Sequence, residues 1–322
     1  MLAIQASRAG GPEVLKAIDA PVPEPGPRQV RVRHKAIGVN FIDTYQRSGL
    51  YPMAMPLVLG QEAAGVVEAI GPHVTHLHVG DRVAYAGQIG AYAEANVVAA
   101  DRAVPLPDAV SLETAAASLL KGMTAEFLLR RCYILKPGET ILVHAAAGGV
   151  GSILVQWAKS LGATVIGTAG SSAKADLARQ LGCDHVIRYR EEDVAAKVRA
   201  LTGGAGVPVV YDSVGKDTFE ASLASLARRG LFVSFGNASG PVPPFSPLRL
   251  AQAGSVFFTR PTMFDYVISK AELDASAAAL FDVLADGRVR IEIGQTFPLA
   301  EARLAHEALE GRRTIGASLL MP

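Results

Sequence analysis

Hydrophobic and polar residues alternate in short runs through the first third of the chain. "VRVRHKAIGVN" (residues 30–40) and "GQEAAGVVEAIG" (60–71) have the texture of short strands. "PVPEPGPRQ" and "VGDRV" supply turn chemistry. Residues 1 to about 121 are therefore predicted to be mainly β. From about residue 122 the pattern changes: "TILVHA", "TVIGTA", "HVIRY", "PVVYDSV" and "LFVSFG" are compact apolar runs of strand length. Between them lie segments of helical length, "SAKADLARQLG" and "KDTFEASLASLARRG". Strands that alternate with helices predict parallel βαβ units, because a parallel pair needs a crossover connection. After "SVFFTR" a further helix is expected in "KAELDASAAALFDVLADG", and "TIGASLLMP" is strand-like.

Composition narrows the function. Half of the 322 residues are hydrophobic and 19% are charged, so a large core can form. A net charge of +1 argues against an electrostatic nucleic-acid or membrane partner. No apolar run approaches a membrane span and no secretory core follows "MLAIQASRAGG", so a soluble cytoplasmic protein is expected. Cys132 and Cys183 alone make neither a disulfide framework nor a cysteine-rich zinc site.

The stretch "HAAAGGVG" (144–151) carries the clearest chemistry. It follows a predicted strand and precedes a helix whose apolar face is Val150, Leu154, Trp157, Ala158 and Leu161, with Gly162 as the stop. That is the place of a dinucleotide fingerprint. Here it reads Ala146-x-Gly148-x-x-Gly151, with Gly149 and Val150 between the last two glycines. Ala146 takes the tight-turn position, Gly148 permits close approach to a pyrophosphate, and Gly151 permits helix–strand packing. Amides and the helix dipole then hold the phosphates. The other glycine-rich run, "TGGAG" (202–206), follows a helix and precedes a strand, so it is expected to be a connector.

An enzyme that takes NAD usually offers an acidic residue to the adenosine ribose about 20 residues beyond the glycines. This chain instead places Ser171, Ser172 and Lys174 there, in "TVIGTAGSSAK". Hydroxyls and an ammonium suit a 2′-phosphate, so NADPH is the expected cofactor.

With "KAIGVNFIDTYQRSGLYP", "HAAAGGVG", "IRYREED", "VVYDSVG" and "RRGLFVSFGNASG" in view, the chain resembles the zinc-free quinone oxidoreductases. These are the zeta-crystallin-like branch of the medium-chain dehydrogenases/reductases, and the resemblance runs from "GGPEVL" to "ASLLMP". It implies an α/β protein: a β-rich, chaperonin-10-like catalytic domain formed by residues 1–121 and 261–322, and a Rossmann doubly wound parallel-sheet domain over 122–260. Nicotinamide and substrate would share the cleft between them.

The resemblance also implies a metal-free site. The ligand positions of zinc-dependent relatives hold Asn40 and Gln61, and "SLLKGMTA" contains no cysteine. His73, His76 and His78 in "HVTHLH" are the remaining metal candidates, and their turn context favours a structural role. By the same resemblance Asn40, Tyr45 and Tyr51 belong to the substrate cleft. Thr124, Ser213, Phe235, Gly236 and Asn237 would contact the cofactor; Lys174, Tyr189 and Arg312 would surround the adenosine phosphate. "AGQIGAY" (86–92) departs from the family wording and bears on substrate fit. The expected reaction is transfer of reducing equivalents from NADPH to a quinone. The alternatives are reduction of an enone or alkenal double bond, and a nucleotide-retaining nucleic-acid-binding or crystallin-type protein. A homodimer is expected, with the edge run "GSVFFTR" (254–260) pairing across a two-fold axis.

Overall fold

A computed structural model describes residues 1–322. The chain divides into two compact units: residues 1–123, 267–285 and 291–322 form one, and residues 124–266 with 286–290 form the other. The sequence expectation placed the divisions at 121/122 and 260/261.

The first unit contains β1 (Leu2–Ala6), β2 (Leu15–Asp19), β3 (Gln29–Val39), α1 (Phe41–Ser48), β4 (Leu57–Val58), β5 (Glu62–Ile70), β6 (Arg82–Ala86), β7 (Ala95–Ala99) and β8 (Val104–Pro105). Helix α2 (Leu112–Phe127) follows. The second unit contributes β9 (Thr140–Val143), α3 (Gly149–Ser160), β10 (Thr164–Ala169), α4 (Ser172–Gln180), β11 (His185–Arg188), α5 (Val194–Leu201), β12 (Val207–Asp212), α6 (Phe219–Ser225), β13 (Leu226–Ser234), α7 (Leu248–Gln252) and β14 (Phe257–Thr259). The first unit is completed by α8 (Lys270–Ala285), β15 (Ile293–Pro298), α9 (Ala302–Glu310) and β16 (Ala317–Met321).

Two sheets build the first unit. One runs β2-β1-β4; the other runs β15-β16-β3-β5-β6-β8, with β7 also paired to β3. The long β3 alternates its burial over residues 29–35, with Val30, Val32 and His34 inward; past the irregularity in its pairing with β5 at His34/Ala36, residues 36–39 are all buried. Its core also takes Tyr85, Tyr92, Leu299 and Leu320.

The six strands of the second unit are all parallel, in the order β11-β10-β9-β12-β13-β14. Counted from β9 this is 3-2-1-4-5-6, the doubly wound dinucleotide order, with its switch point between β9 and β12. Both faces are covered by helices, so the strands read as continuous apolar runs. "TGGAG" links α5 to β12, with Gly203, Gly204 and Gly206 at positive φ.

One expected helix is shorter than its pattern. "KDTFEASLASLARRG" ends as helix at Ser225, and Leu226 starts β13 by pairing with Val207. Pairing then resumes at Val209↔Leu231, so residues 227–230 bulge out, with Arg229 at φ 60°. Burial of Leu226 in the sheet outweighs helix propensity there. No helix is long and apolar enough to cross a membrane.

Candidate functional site

The expected dinucleotide cradle starts where β9 ends. Ala145 takes the left-handed conformation, φ 51°, so the tight turn falls one residue before Ala146. Gly148 is the extended N-cap of α3, and its N–H donates to Ala145 O at 2.8 Å. A Cβ on Gly151 would lie 2.2 Å from that same carbonyl oxygen, so only glycine fits there. Ala146 is fully buried and is accommodated from across the sheet: a Cβ on Gly167 of β10 would meet its methyl at 2.8 Å and Cys183 Sγ at 2.6 Å. Missing side chains thus leave backbone and the first-turn amides of α3 (Gly149, Val150, Gly151) as the surface of this cradle. The donor set fits a pyrophosphate.

At the end of β10 the chain reaches the expected adenosine end. Ser171 caps α4, its hydroxyl accepting from the Lys174 N–H at 3.4 Å. Lys174 therefore stands in the first turn of a helix. Tyr189 follows β11, and a Cβ on Gly170 would meet its hydroxyl at 2.5 Å, so the glycine makes room for the phenol. Sequence reasoning missed Arg188. It is the last residue of β11, in register with Ala169, and its Nη1 donates to Ser172 Oγ at 3.2 Å. Its signal lay inside "IRYREED", where a cation ends one strand beside the end of its neighbour.

Ser213, Phe235, Gly236 and Asn237 come together at the ends of β12 and β13. Phe235 N–H donates to Asp212 O at 2.8 Å, and Ala238 N–H donates to Ser213 O at 3.2 Å. A Cβ on Gly236 would lie 2.4 Å from Ser213 O, which fixes glycine at the crossing of the two loops. Thr124 is buried on α2. Arg312 belongs to the first unit, in the turn after α9 at φ 56°, whereas Lys174 and Tyr189 belong to the second.

In the first unit Asn40 is the N-cap of α1, and Gly49, φ 84°, ends that helix. Asn40 Nδ2 donates to Glu62 Oε2 at 2.8 Å, and Lys121 Nζ donates to the same oxygen at 3.0 Å. The Leu120 N–H donates to Glu62 Oε1 at 2.7 Å. Glu62, Lys121 and Asn40 are all buried, so this carboxylate carries its counter-charge and its donors with it. Gly38, opposite Glu62 in the sheet, has no room for a side chain: its Cβ would lie 2.3 Å from Glu62 Oε2. Gln61 is buried beside Glu62.

The buried residues of α1 carry a second network. Asp43 Oδ2 accepts from the Asn40 N–H at 2.8 Å and from the Tyr92 hydroxyl at 3.0 Å. Arg47 has no acceptor to offer, so its Nη1 donates to His306 Nδ1 at 3.0 Å. That leaves the His306 proton on Nε2, facing Tyr92 Oη at 2.9 Å. Arg47 also grips Glu310 through two bonds of 2.7 and 3.0 Å. Burial pushes the Asp43 carboxyl up to about 7, against its hydrogen bonds from Asn40 and Tyr92. Burial, then the Arg47 charge, pushes His306 down to about 3.

Tyr45 and Tyr51 stand together. Their ring centroids are 5.3 Å apart, edge to face, and Phe41 lies 6.1 Å from Tyr45. Tyr45 is buried and Tyr51 half-buried, with the Tyr51 N–H donating to Tyr45 O at 3.0 Å. The three histidines of "HVTHLH" do not converge: His76 Nε2 lies 3.2 Å from Ala100 O, and His78 Nδ1 lies 3.7 Å from Asp81. No group of three or more His, Cys, Asp and Glu side chains forms a metal-binding cluster.

Known proteins place this arrangement. Residues 26–108 match the alcohol dehydrogenase GroES-like domain family, and residues 149–282 match the zinc-binding dehydrogenase family. A quinone oxidoreductase of Pseudomonas aeruginosa is 56% identical, over 99% of each chain. The chain belongs to the quinone oxidoreductases. These are medium-chain dehydrogenases/reductases, so the protein is an oxidoreductase enzyme with a GroES-like domain and a Rossmann domain. The Escherichia coli quinone oxidoreductase complexed with NADPH superposes with a TM-score of 0.98, at 49% identity and 100% coverage of both chains. A 2-haloacrylate reductase of a Burkholderia species is 45% identical, over 98% of this chain and 97% of its own.

Proposed function

We propose that this quinone oxidoreductase passes a hydride from NADPH to a quinone, with one proton from solvent, to give the hydroquinone and NADP⁺. The observation that carries the reading is the glycine cradle of residues 145–151 at the switch point of a 3-2-1-4-5-6 sheet. Lys174, Ser171 and Arg188 at the adenosine end, where an NAD enzyme offers a carboxylate, support NADPH over NADH.

Bound NADPH supplies the hydride at its nicotinamide ring. The chain's own contribution is to bind and orient. The α3 cradle holds the pyrophosphate, and the loops at Ser213 and Phe235–Asn237 flank the nicotinamide side. Asn40, held by the buried Glu62–Lys121 pair, and the aromatic wall Phe41–Tyr45–Tyr51 form the substrate side. Hydrogen-bond donors suffice to stabilise charge that develops on a quinone oxygen. No metal is invoked: Asn40 is committed to Glu62, and a neutral amide is a poor ligand for zinc.

Steady-state oxidation of NADPH and NADH with a panel of quinones and enones tests this reading. Turnover should be fastest with NADPH and a quinone, should survive chelators, and should proceed without stoichiometric zinc in elemental analysis. No oxidation with any quinone would reject the reading. A second activity, reduction of an activated C=C bond, is favoured by the likeness to the 2-haloacrylate reductase; product analysis with an α,β-unsaturated ketone separates the two. A cytoplasmic location and a homodimer complete the proposal. β14 is the edge of the parallel sheet, and Phe257 on it is 62% exposed. Phe257→Lys should then sediment as monomer in analytical ultracentrifugation.

A further inference from the structure

Beneath the cofactor loops of the second unit runs an unbroken line of buried polar side chains: Thr168, His144, Ser222, Asp212 and Thr218. The direction of its hydrogen bonds is fixed by chemistry. A carboxylate only accepts, so the hydroxyls of Ser222 and Thr218 both donate to Asp212 Oδ2, each at 2.7 Å. Ser222 Oγ has then spent its proton and must accept from His144 Nε2–H at 3.0 Å. His144 Nδ1 is left as an acceptor for the Thr168 hydroxyl at 3.1 Å. Thr168 Oγ1 in turn accepts the Ala145 N–H at 3.2 Å. Burial holds His144 below its usual range, in keeping with one neutral tautomer.

The two ends of this line are what make it more than core filling. One end is Ala145, the left-handed residue on whose carbonyl the Gly148 turn and the close approach of Gly151 depend. The other is Asp212 Oδ1, which accepts from the N–H groups of Val214 and Gly215 at 2.7 and 3.0 Å. That second loop also carries the loop after β13, through Ser239 N–H to Val214 O at 2.8 Å and Ala238 N–H to Ser213 O at 3.2 Å.

We propose that His144, Ser222 and Asp212 are positioning residues for the dinucleotide: they lock the pyrophosphate turn and the nicotinamide-side loops into one preformed arrangement. A line with a single proton order has no second low-energy state, so the loops need not be ordered at the cost of binding energy. The inference rests on the reading of these loops as the NADPH site.

NADPH titration by fluorescence, on folded protein well below its melting temperature, tests it, together with KM and kcat for both substrates. Ser222→Ala and His144→Leu should each weaken NADPH about tenfold, the effect of one lost buried hydrogen bond. The quinone KM at saturating NADPH should stay within about twofold of wild type on the same reasoning. His144→Gln, which keeps an acceptor and a donor on one side chain, should recover most of the loss. Should Ser222→Ala fail to fold, the His144→Leu and His144→Gln pair decides. Variants that melt earlier yet bind NADPH like wild type would reduce the line to core structure and overturn the proposal. If wild-type protein itself fails to bind NADPH, the cofactor reading falls first and this inference with it.

Discussion

Asp43 in the first unit and Asp212 in the second are both fully buried, yet they are satisfied very differently. Asp212 receives four hydrogen bonds, two on each oxygen. Asp43 receives two, both on Oδ2, and its Oδ1 has no partner. Donors to a carboxylate favour its charged form and burial opposes it; with so few donors, burial wins at Asp43 and moves it to about 7. The second unit has built a fully hydrogen-bonded carboxylate under the backbone proposed to meet the cofactor. The first has built a titratable group into the buried face of the helix that Asn40 caps and that carries Tyr45.

The largest test of that contrast is Asp212→Ala. It strands two loop amides and two hydroxyls in a dry interior, which should cost about 4 kcal/mol, near the upper end for one substitution. Trp157 is the single tryptophan and is buried in α3, so its fluorescence in urea reads the second unit alone. A loss below about 1 kcal/mol would mean that the four bonds contribute little net stability.

Next comes the charge at the rim of the same unit. Lys174→Ala should weaken NADPH about 10- to 100-fold, the range of one charge-assisted hydrogen bond, and leave NADH nearly unchanged. Equal losses for both cofactors would show that Lys174 does not read the phosphate.

Much of this was legible in the sequence, and what was not has a common cause. Short strand-like runs bounded by turn residues marked β3 and β5, and the alternation of apolar runs with helices marked the parallel sheet, because both signals are local in sequence. Ala146, Gly148 and Gly151 were readable because a strand–glycine–helix junction is local. The room that Gly167 leaves for the Ala146 methyl depends on β10 lying beside the loop, and nothing near residue 146 announces that. The partners His144, Asp212 and Ser222 are likewise assembled only by the fold. The helix predicted through residue 230 failed for the same reason: Leu226 answers to Val207 across the sheet, not to its neighbours in sequence.

In the first unit the test is pH. The raised Asp43 carboxyl contributes stability that is fully present below its unfolded value of 3.8 and is lost as pH rises through about 7. His306, lowered from 6.5 to about 3, works the other way: its contribution is present above 6.5 and is lost as pH falls toward 3. Asp43→Asn removes only the first trend. Urea unfolding followed by far-UV circular dichroism from about pH 5 to about pH 8 should show wild type losing ground to the variant as pH rises. Parallel curves would mean that Asp43 is relieved by a donor to Oδ1, and the contrast with Asp212 would collapse.

The smallest expected effect belongs to Tyr51→Phe, and it decides how the first unit meets its substrate. Tyr51 packs edge-on against Tyr45 at 5.3 Å, in a wall continued by Phe41, and removal of a hydroxyl leaves those ring contacts in place. If the wall positions the quinone by stacking, kcat for Tyr51→Phe should stay within about threefold of wild type. Tyr51→Ala should then raise the quinone KM by about fivefold to tenfold, the equivalent of one aromatic contact of roughly 1 kcal/mol. A hydroxyl that stabilised the developing oxyanion would behave otherwise: its loss would lower kcat by about 100-fold with NADPH affinity intact. The side chain and the hydroxyl are thus separable in one pair of variants. A kcat that falls more than about tenfold in Tyr51→Phe would make this phenol a donor and not a wall.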